Sequence, residues 1–244
     1  MAYLIPKKDL YVYEPLERID SPTGRTYRRG DDAPVSSVTT ILDQTKDKRT
    51  LDAWVARVGE AEAERIKMEA ARTGTAMHLA IECFLDSKRL HPPEDWLQAR
   101  GYEMGYRLIN KHFSSLEEVW GLEAPLYYPG KYAGTTDLVG LWRGKPAIID
   151  FKQSLKPKRY EWITDYFHQL SAYAMAHDAT YGTNIDYAVI LVAVQDGTTQ
   201  EFTTTGREFE RQKKEWMARV EDFLAKKATE SSYQTGTDAS TSPG

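Results

Sequence analysis

The spacing of apolar positions changes character along the chain. In residues 1–35 short aromatic pieces (Tyr11, Tyr13, Tyr27) alternate with turn signals at Ser21-Pro22-Thr23-Gly24, which predicts a small β-hairpin. Ser36 to Leu42 reads as a helix entry with hydroxyls available for capping. Residues 50–86 are rich in Ala, Glu, Arg and Leu and predict helix, with Arg72-Thr73-Gly74-Thr75 marking a break or a close approach; a second helix is expected over 94–113. The pattern then turns to strands at 118–128, 132–142 and 145–153. Tight turns at Pro129-Gly130 and Arg143-Gly144 separate them, as in an antiparallel meander. Helix returns at 159–178. Tyr187 to Val194 is an unbroken apolar run, as a strand buried on both faces requires. Asp196-Gly197 turns into a Thr-rich edge strand, and 206–227 forms an amphipathic helix with Phe209, Trp216, Val220 and Phe223 on one side. From Thr229 onward the chain has little to bury, so 229–244 is expected to be a disordered tail. This order predicts an α/β sandwich around one mixed sheet. Residues 1–35 form an N-terminal extension and 36–228 a single domain, helical over 36–116 and αβ over 117–228.

Composition narrows the function classes. At 41% apolar residues the 244-residue chain can build a sizeable core. A formal charge of −4 argues against a protein that coats nucleic acid non-specifically, but permits an enzyme with a local basic groove beside a carboxylate cluster. Cys83 is the only cysteine, so neither an internal disulfide nor a four-cysteine iron–sulfur cluster can form. No apolar run is long enough for a membrane span, and the opening MAYLIPKKDL suits neither a secretory signal nor a transit peptide. A cytoplasmic protein of a bacterial or phage-infected cell is expected.

The candidate chemistry gathers on the meander. Asp137 falls late in its second strand, and Asp150 and Lys152 close the third in Ile148-Ile149-Asp150-Phe151-Lys152. Residues i and i+2 share a strand face, so Asp150 and Lys152 point one way and Phe151 points the other, into core. If the two strands pair, Asp137 comes beside Asp150, and two converging carboxylates suit a hard cation such as magnesium. Taken alone, Asp150-Phe151-Lys152 equally suits a strand-end ion pair. His78, in Gly74-Thr75-Ala76-Met77-His78, shares a helix face with Ala71, Gly74, Thr75, Ile81 and Leu85, which reads as inward, either as a core histidine or as a ligand; Glu82 could orient it or be solvated. Glu123 is a further ligand or an ion-pair residue. Gln169 and Tyr173 lie with Trp162 and Tyr166 along one helix face, where Gln169 would hold a water, the site backbone or a core hydrogen bond. Ser154 to Arg159, with Lys156 and Lys158, suits backbone phosphates or is solvated surface. Arg25, Arg28 and Arg29 around Tyr27 form a second basic patch. Trp96, Tyr102, Tyr106 and Phe113 are either helix-packing core or base-stacking residues.

In order, Gly74-Thr75-x-x-His78, Glu123, Gly134-Thr135-Thr136-Asp137, Asp150-Phe151-Lys152 and Gln169-x-x-x-Tyr173 resemble the RecB-type branch of the PD-(D/E)XK nucleases. The stretch IDFKQSLKPK, the QLSAY helix and the VAVQDG hairpin are most similar to the group of mitochondrial genome maintenance exonucleases with their phage and bacterial relatives, and Ser37-Val38-Thr39 resembles an element near the start of those proteins. The resemblance spans 36–225. It implies a restriction-endonuclease-like core, a central mixed sheet flanked by helices, with an N-terminal helical extension. It further implies magnesium- or manganese-dependent exonucleolytic hydrolysis of DNA, single-stranded DNA favoured, in replication, recombination or repair. His78, Asp137 and Asp150 match metal ligands, joined by the Phe151 carbonyl. Lys152 matches the catalytic lysine, Gln169 and Tyr173 the late motif, and Ser37 and Thr39 phosphate-contacting residues. The chain departs from many relatives in lacking the four-cysteine staple, and Arg72-Thr73-Gly74 replaces an adjacent Arg-Gly pair. The alternatives are an endonuclease of the same superfamily and a DNA-binding module without catalysis.

Overall fold

The computed structural model describes residues 4–238. A hairpin of β1 (Glu17–Ser21) and β2 (Gly24–Arg28) leads to a short β3 (Val35–Ser37) and three helices, α1 (Val38–Thr45), α2 (Arg49–Val58) and α3 (Glu60–Leu85). After α4 (Trp96–His112) come the meander strands β4 (Leu116–Tyr128), β5 (Tyr132–Trp142) and β6 (Lys145–Ser154), then α5 (Thr164–Tyr181), β7 (Tyr187–Val194), β8 (Thr199–Thr205) and α6 (Gly206–Asp238). All eight strands join one mixed sheet in the order β1-β2-β3-β5-β6-β7-β8, with β4 on the other edge of β5.

The sheet separates two apolar cores. Alternation along β6 sends Ile148 to the core under α1, α5 and α6, and Ile149 and Phe151 to the core under α3 and α4. Every residue of β7 is buried, as its unbroken apolar run requires of a parallel strand covered on both faces. β8 pairs only with β7 and forms an edge. The mixed sheet, the meander and the flanking helices match the expected fold class.

Several local expectations change. Ser36 and Ser37 belong to β3, and α1 begins at Val38 with Ser37 as its N-cap, the hydroxyl accepting from the Thr40 amide. The hairpin is continuous with the sheet through β3. Helix α3 runs unbroken through 72–75, because an interior glycine costs only about 1 kcal/mol against the packing of a 26-residue helix; the chain turns instead at Gly59, with φ +89°. Helix α6 continues past Thr229 to Asp238, since adding residues to a formed helix needs no new nucleus. The expected tail 229–244 thus begins within α6, and 239–244 lie outside the described residues.

Candidate metal centre and active site

The site occupies a fork in the sheet. β5 and β6 pair antiparallel from Trp142↔Lys145 to Leu138↔Ile149, and there the ladder ends. Beyond that point β6 stays with β7 as far as Ser154↔Val194, whereas the start of β5 pairs with β3 at Ser36↔Tyr132 and Ser37↔Ala133. Asp137 and Asp150 are the first residues past the last rung. The Asp137 carboxylate takes the place of the missing ladder partner, accepting from the Phe151 amide at 2.7 Å. Phe151 itself is buried against Phe113, as strand alternation predicted.

Helix α3 brings His78 over the fork. Its core-facing residues are Thr73, Ala76, Met77, Ala80, Ile81 and Leu85. Ala71 and Thr75 are exposed and His78 is half-buried, so the imidazole lies at the margin of the core instead of inside it as its neighbours suggested. His78 Nδ1 is 3.7 Å from Asp137 Oδ2. The depth of α3 is set by α4, where Gly101 and Gly105 meet the α3 backbone. A Cβ on Gly101 would stand 2.5 Å from the Thr73 carbonyl oxygen and 2.5 Å from Ala76 Cβ, and one on Gly105 2.9 Å from the Met77 carbonyl oxygen. Gly74 is not under such pressure; a methyl added there would find its nearest neighbour in Gln153 Cγ at 3.8 Å. Arg72 pairs with Asp95, the residue that caps α4.

On the α5 side Lys152 lies between Asp150 and Gln169. Its Nζ is 2.8 and 2.7 Å from the two Asp150 oxygens and donates to Gln169 Oε1 at 3.1 Å. Gln169 Nε2 in turn donates to the Tyr173 hydroxyl at 3.4 Å. The Tyr173 ring packs on β5 where Gly134 leaves room, since a Cβ there would sit 3.0 Å from the ring. Tyr166, one turn before Gln169, holds its ring 5.3 Å from Lys152 Nζ.

Electrostatics follow from this crowding. Burial opposes charge on Lys152, but Asp150 and then Asp137 outweigh it and hold the amine above its ordinary range, hence as ammonium. Burial pushes the Asp150 carboxyl upward, and Lys152 pulls it back only in part. Desolvation, then repulsion from Asp137, Glu82 and Asp150, pushes the Glu123 carboxyl up to about 8. Glu82 is likewise raised, by burial and by Asp137, with His78 opposing. Glu123 also has φ +48°, a region that costs a non-glycine residue about 1–3 kcal/mol.

The donor set fits a hard divalent cation. One ligand atom each from His78, Glu123 and Asp137 lies within 4.8 Å of the others. Asp150 stands beside this triad but outside it, drawn into its contact with Lys152. Both of its oxygens lie against the Lys152 ammonium, at 2.8 and 2.7 Å.

The other sequence-derived residues divide. Ser37 is buried, its hydroxyl engaged with Thr39, Thr40 and the Thr40 amide, while Thr39 is exposed. Tyr173 is only 3% exposed and reaches the site through Gln169, which removes it from direct substrate contact. Ser154 is buried and closes a turn onto the Lys156 carbonyl, while Lys156 is exposed. The Gln200 side chain brackets both backbone groups of Lys158. Arg25, Arg28 and Arg29 are offset by Asp20, Glu17 and Asp32, and Tyr27 is buried, so the second basic patch is largely neutralised. Tyr102 and Phe113 are core; Trp96 and Tyr106 are exposed. Sequence reasoning missed Gly101 and Gly105, for which the Gly-x-x-x-Gly spacing was the available signal, and the place of Tyr166 against Lys152.

No family model matches the chain. Mitochondrial genome maintenance exonuclease 1 of Homo sapiens is 30% identical over 206 residues, covering 79% of this chain and 59% of that protein. The protein of the same name from Xenopus tropicalis is 30% identical over 221 residues, 82% and 60% of the two chains. The chain therefore spans about three-fifths of the length of these curated relatives. Among solved structures, an alkaline exonuclease from Laribacter hongkongensis aligns over 85% of this chain and 95% of its own at 12% identity with a TM-score of 0.41, a likeness too slight to bear on the chemistry.

Proposed function

Because the chain is a homologue of the mitochondrial genome maintenance exonucleases, with a PD-(D/E)XK-like nuclease relationship, we propose that it is a metal-dependent exonuclease that hydrolyses DNA phosphodiester bonds and favours single strands. The observation that carries this reading is the convergence of His78, Glu123 and Asp137 beside the Asp150–Lys152 pair, at the one place where β5 and β6 part.

In this reading His78, Glu123, Asp137 and Asp150, joined by the Phe151 carbonyl, hold magnesium or manganese. The bound ion supplies Lewis-acid polarisation of the scissile phosphate and acidifies a water. Lys152 is an ammonium held by Asp150, so it serves as an electrostatic stabiliser of the attacking water and of the charge that develops on phosphorus, not as a general base. Gln169, fixed by Tyr173, keeps the ammonium aimed. Attack in line leaves a 5′-phosphate and a 3′-hydroxyl. Lys156 and Lys158 on the loop after β6 meet backbone phosphates, and the exposed Thr39 hydroxyl is a further phosphate contact. Residues 36–228, joined through β3 by the hairpin of β1 and β2, act as one nuclease domain, working in DNA replication, recombination or repair. Among the described residues no helix is long and apolar enough to cross a membrane.

The test is incubation of linear and circular single-stranded DNA of equal length with the protein and magnesium. Loss of the linear form alone is expected. Cleavage of the circle would make the protein an endonuclease, and no cleavage of either under magnesium or manganese would overturn the catalytic reading.

A further inference from the structure

The segment that follows β6 exposes large apolar side chains beside the site. Leu155 and Trp162 are each 64% exposed and Tyr160 is 40% exposed. Three such residues fall within 155–162, on the segment that leaves β6 just after Lys152. The segment is built to hold them out. Ser154 Oγ donates to the Lys156 carbonyl and Gln200 brackets Lys158. Tyr160 packs on Phe167 with ring centroids 5.0 Å apart, and its hydroxyl accepts from Gln212 at 3.3 Å. The short 3₁₀ turn Tyr160–Trp162 then carries the indole into solvent with the Arg159 guanidinium 5.2 Å from its centroid. Lys156, Lys158 and Arg159 make no ion pair among the described residues, unlike the arginines of the N-terminal hairpin.

Trp162 also precedes a helix face that ends inside the site. On α5, Tyr166, Gln169 and Tyr173 share a face and pass from half-buried to buried, and Trp162 stands in open solvent in the turn before it. Tyr166 lies against Lys152, and Gln169 accepts its hydrogen bond. Trp162 ends the turn that leads into α5, whose first two turns carry Tyr166 and Gln169 to Lys152.

Resting on the proposed nuclease activity, we propose that Trp162, backed by Arg159, is a stacking platform for an unpaired base next to the scissile phosphate, with Lys156 and Lys158 taking the flanking phosphates. An exposed ring accepts any base but needs that base out of a duplex stack, so the platform gives preference for single strands without sequence preference. Bases paired inside a duplex cannot reach it.

The test uses the full chain as wild type, Trp162→Ala and Trp162→Phe, with single-stranded oligonucleotides carrying 2-aminopurine one or two positions from the end. Binding is read in EDTA, where cleavage does not intrude, and kcat and KM are read with magnesium. Trp162→Ala is expected to raise KM for single strands by about 5- to 150-fold, the range of one base–aromatic stack. It should leave kcat within about threefold and abolish a 2-aminopurine quench that wild type and Trp162→Phe both show. KM for a blunt duplex should not change. An unchanged single-strand KM and quench in Trp162→Ala, with the wild type cleaving, would overturn the platform and leave the nuclease reading intact. An equal rise in KM on single strands and duplex would also overturn it, as a general loss of structure. A Trp162-dependent quench in a wild type that cleaves nothing would keep the platform and remove the nuclease reading.

Discussion

Gly101 offers the sharpest test of how the fold holds the site, because it touches neither the cluster nor any substrate. A Cβ added there would stand 2.5 Å from the Thr73 carbonyl oxygen, 2.5 Å from Ala76 Cβ and 3.0 Å from the Met77 amide nitrogen. Ordinary carbon contacts lie at about 3.5–4.0 Å, so α4 must retreat from α3 by roughly 1 Å. Two of the three obstacles are backbone and cannot rotate away. Overpacking of this kind costs about 1–3 kcal/mol, a fall in Tm of roughly 2–12 °C for a domain of this size. His78 follows Met77 on the displaced segment, and a misplacement near 1 Å can cost about 100-fold in rate. The assay is a thermal melt paired with kcat on linear single-stranded DNA for Gly101→Ala. Gly74→Ala is the contrast: its methyl would meet only Gln153 Cγ at 3.8 Å, and it removes a helix-interior glycine, so stability should equal or exceed wild type. A Gly101→Ala protein with unchanged Tm and unchanged kcat would refute the claim that this contact sets the position of His78.

Further outcomes follow from the cluster and the core. Lys152→Ala should be nearly inactive and Lys152→Arg should retain part of the activity, measured as single-turnover rates; strong rescue of Lys152→Ala at high pH would count against a purely electrostatic role. Tyr173→Phe keeps the buried ring but withdraws the acceptor from Gln169, and kcat should fall about 3- to 10-fold at nearly constant Tm, as expected for one neutral hydrogen bond of about 0.5–1.5 kcal/mol. Stability should fall with acid through His177, which sits buried among Tyr11, Tyr13 and Tyr181 and is lowered to about 4 by desolvation. An unfolded histidine titrates near 6.5, so between these values the unfolded chain binds a proton that the folded chain refuses. The contribution is whole above about pH 6.5 and lost by about pH 4, at most about 3 kcal/mol; urea melts of wild type and His177→Gln at pH 7 and 5 should diverge, and parallel losses would contradict the assignment.

What was legible in the sequence was what short-range periodicity encodes. Alternation in Ile148–Lys152 separates Phe151 from Asp150 and Lys152, and the turn at Arg143-Gly144 brings Asp137 beside Asp150, one step past the last rung. Less legible was whatever depends on a partner far along the chain. At the fork two residues, Ser36 and Ser37, take the edge of β5 that β6 leaves, and so short a parallel pairing has no period to read. His78 looked inward because its i±3 and i±4 neighbours are small, but which face of α3 is buried depends on where Gly101 and Gly105 let α4 lie. Gly74 drew notice for its place beside the histidine, while the steric demand falls on the facing helix. The arginines at 25, 28 and 29 read as a basic patch until the hairpin sets Asp20 and Glu17 across from the first two and Asp32 turns back on the third.

The central claim is that the fork between β5 and β6 is a metal-dependent nuclease centre. Degradation of end-labelled linear single-stranded DNA by the wild type and by Asp150→Ala, each with magnesium, manganese or EDTA, tests it most directly. The account predicts loss of label by the wild type with either metal, none in EDTA, and none with Asp150→Ala under any condition. Undiminished cleavage by a folded Asp150→Ala protein, or by the wild type in EDTA, would contradict it.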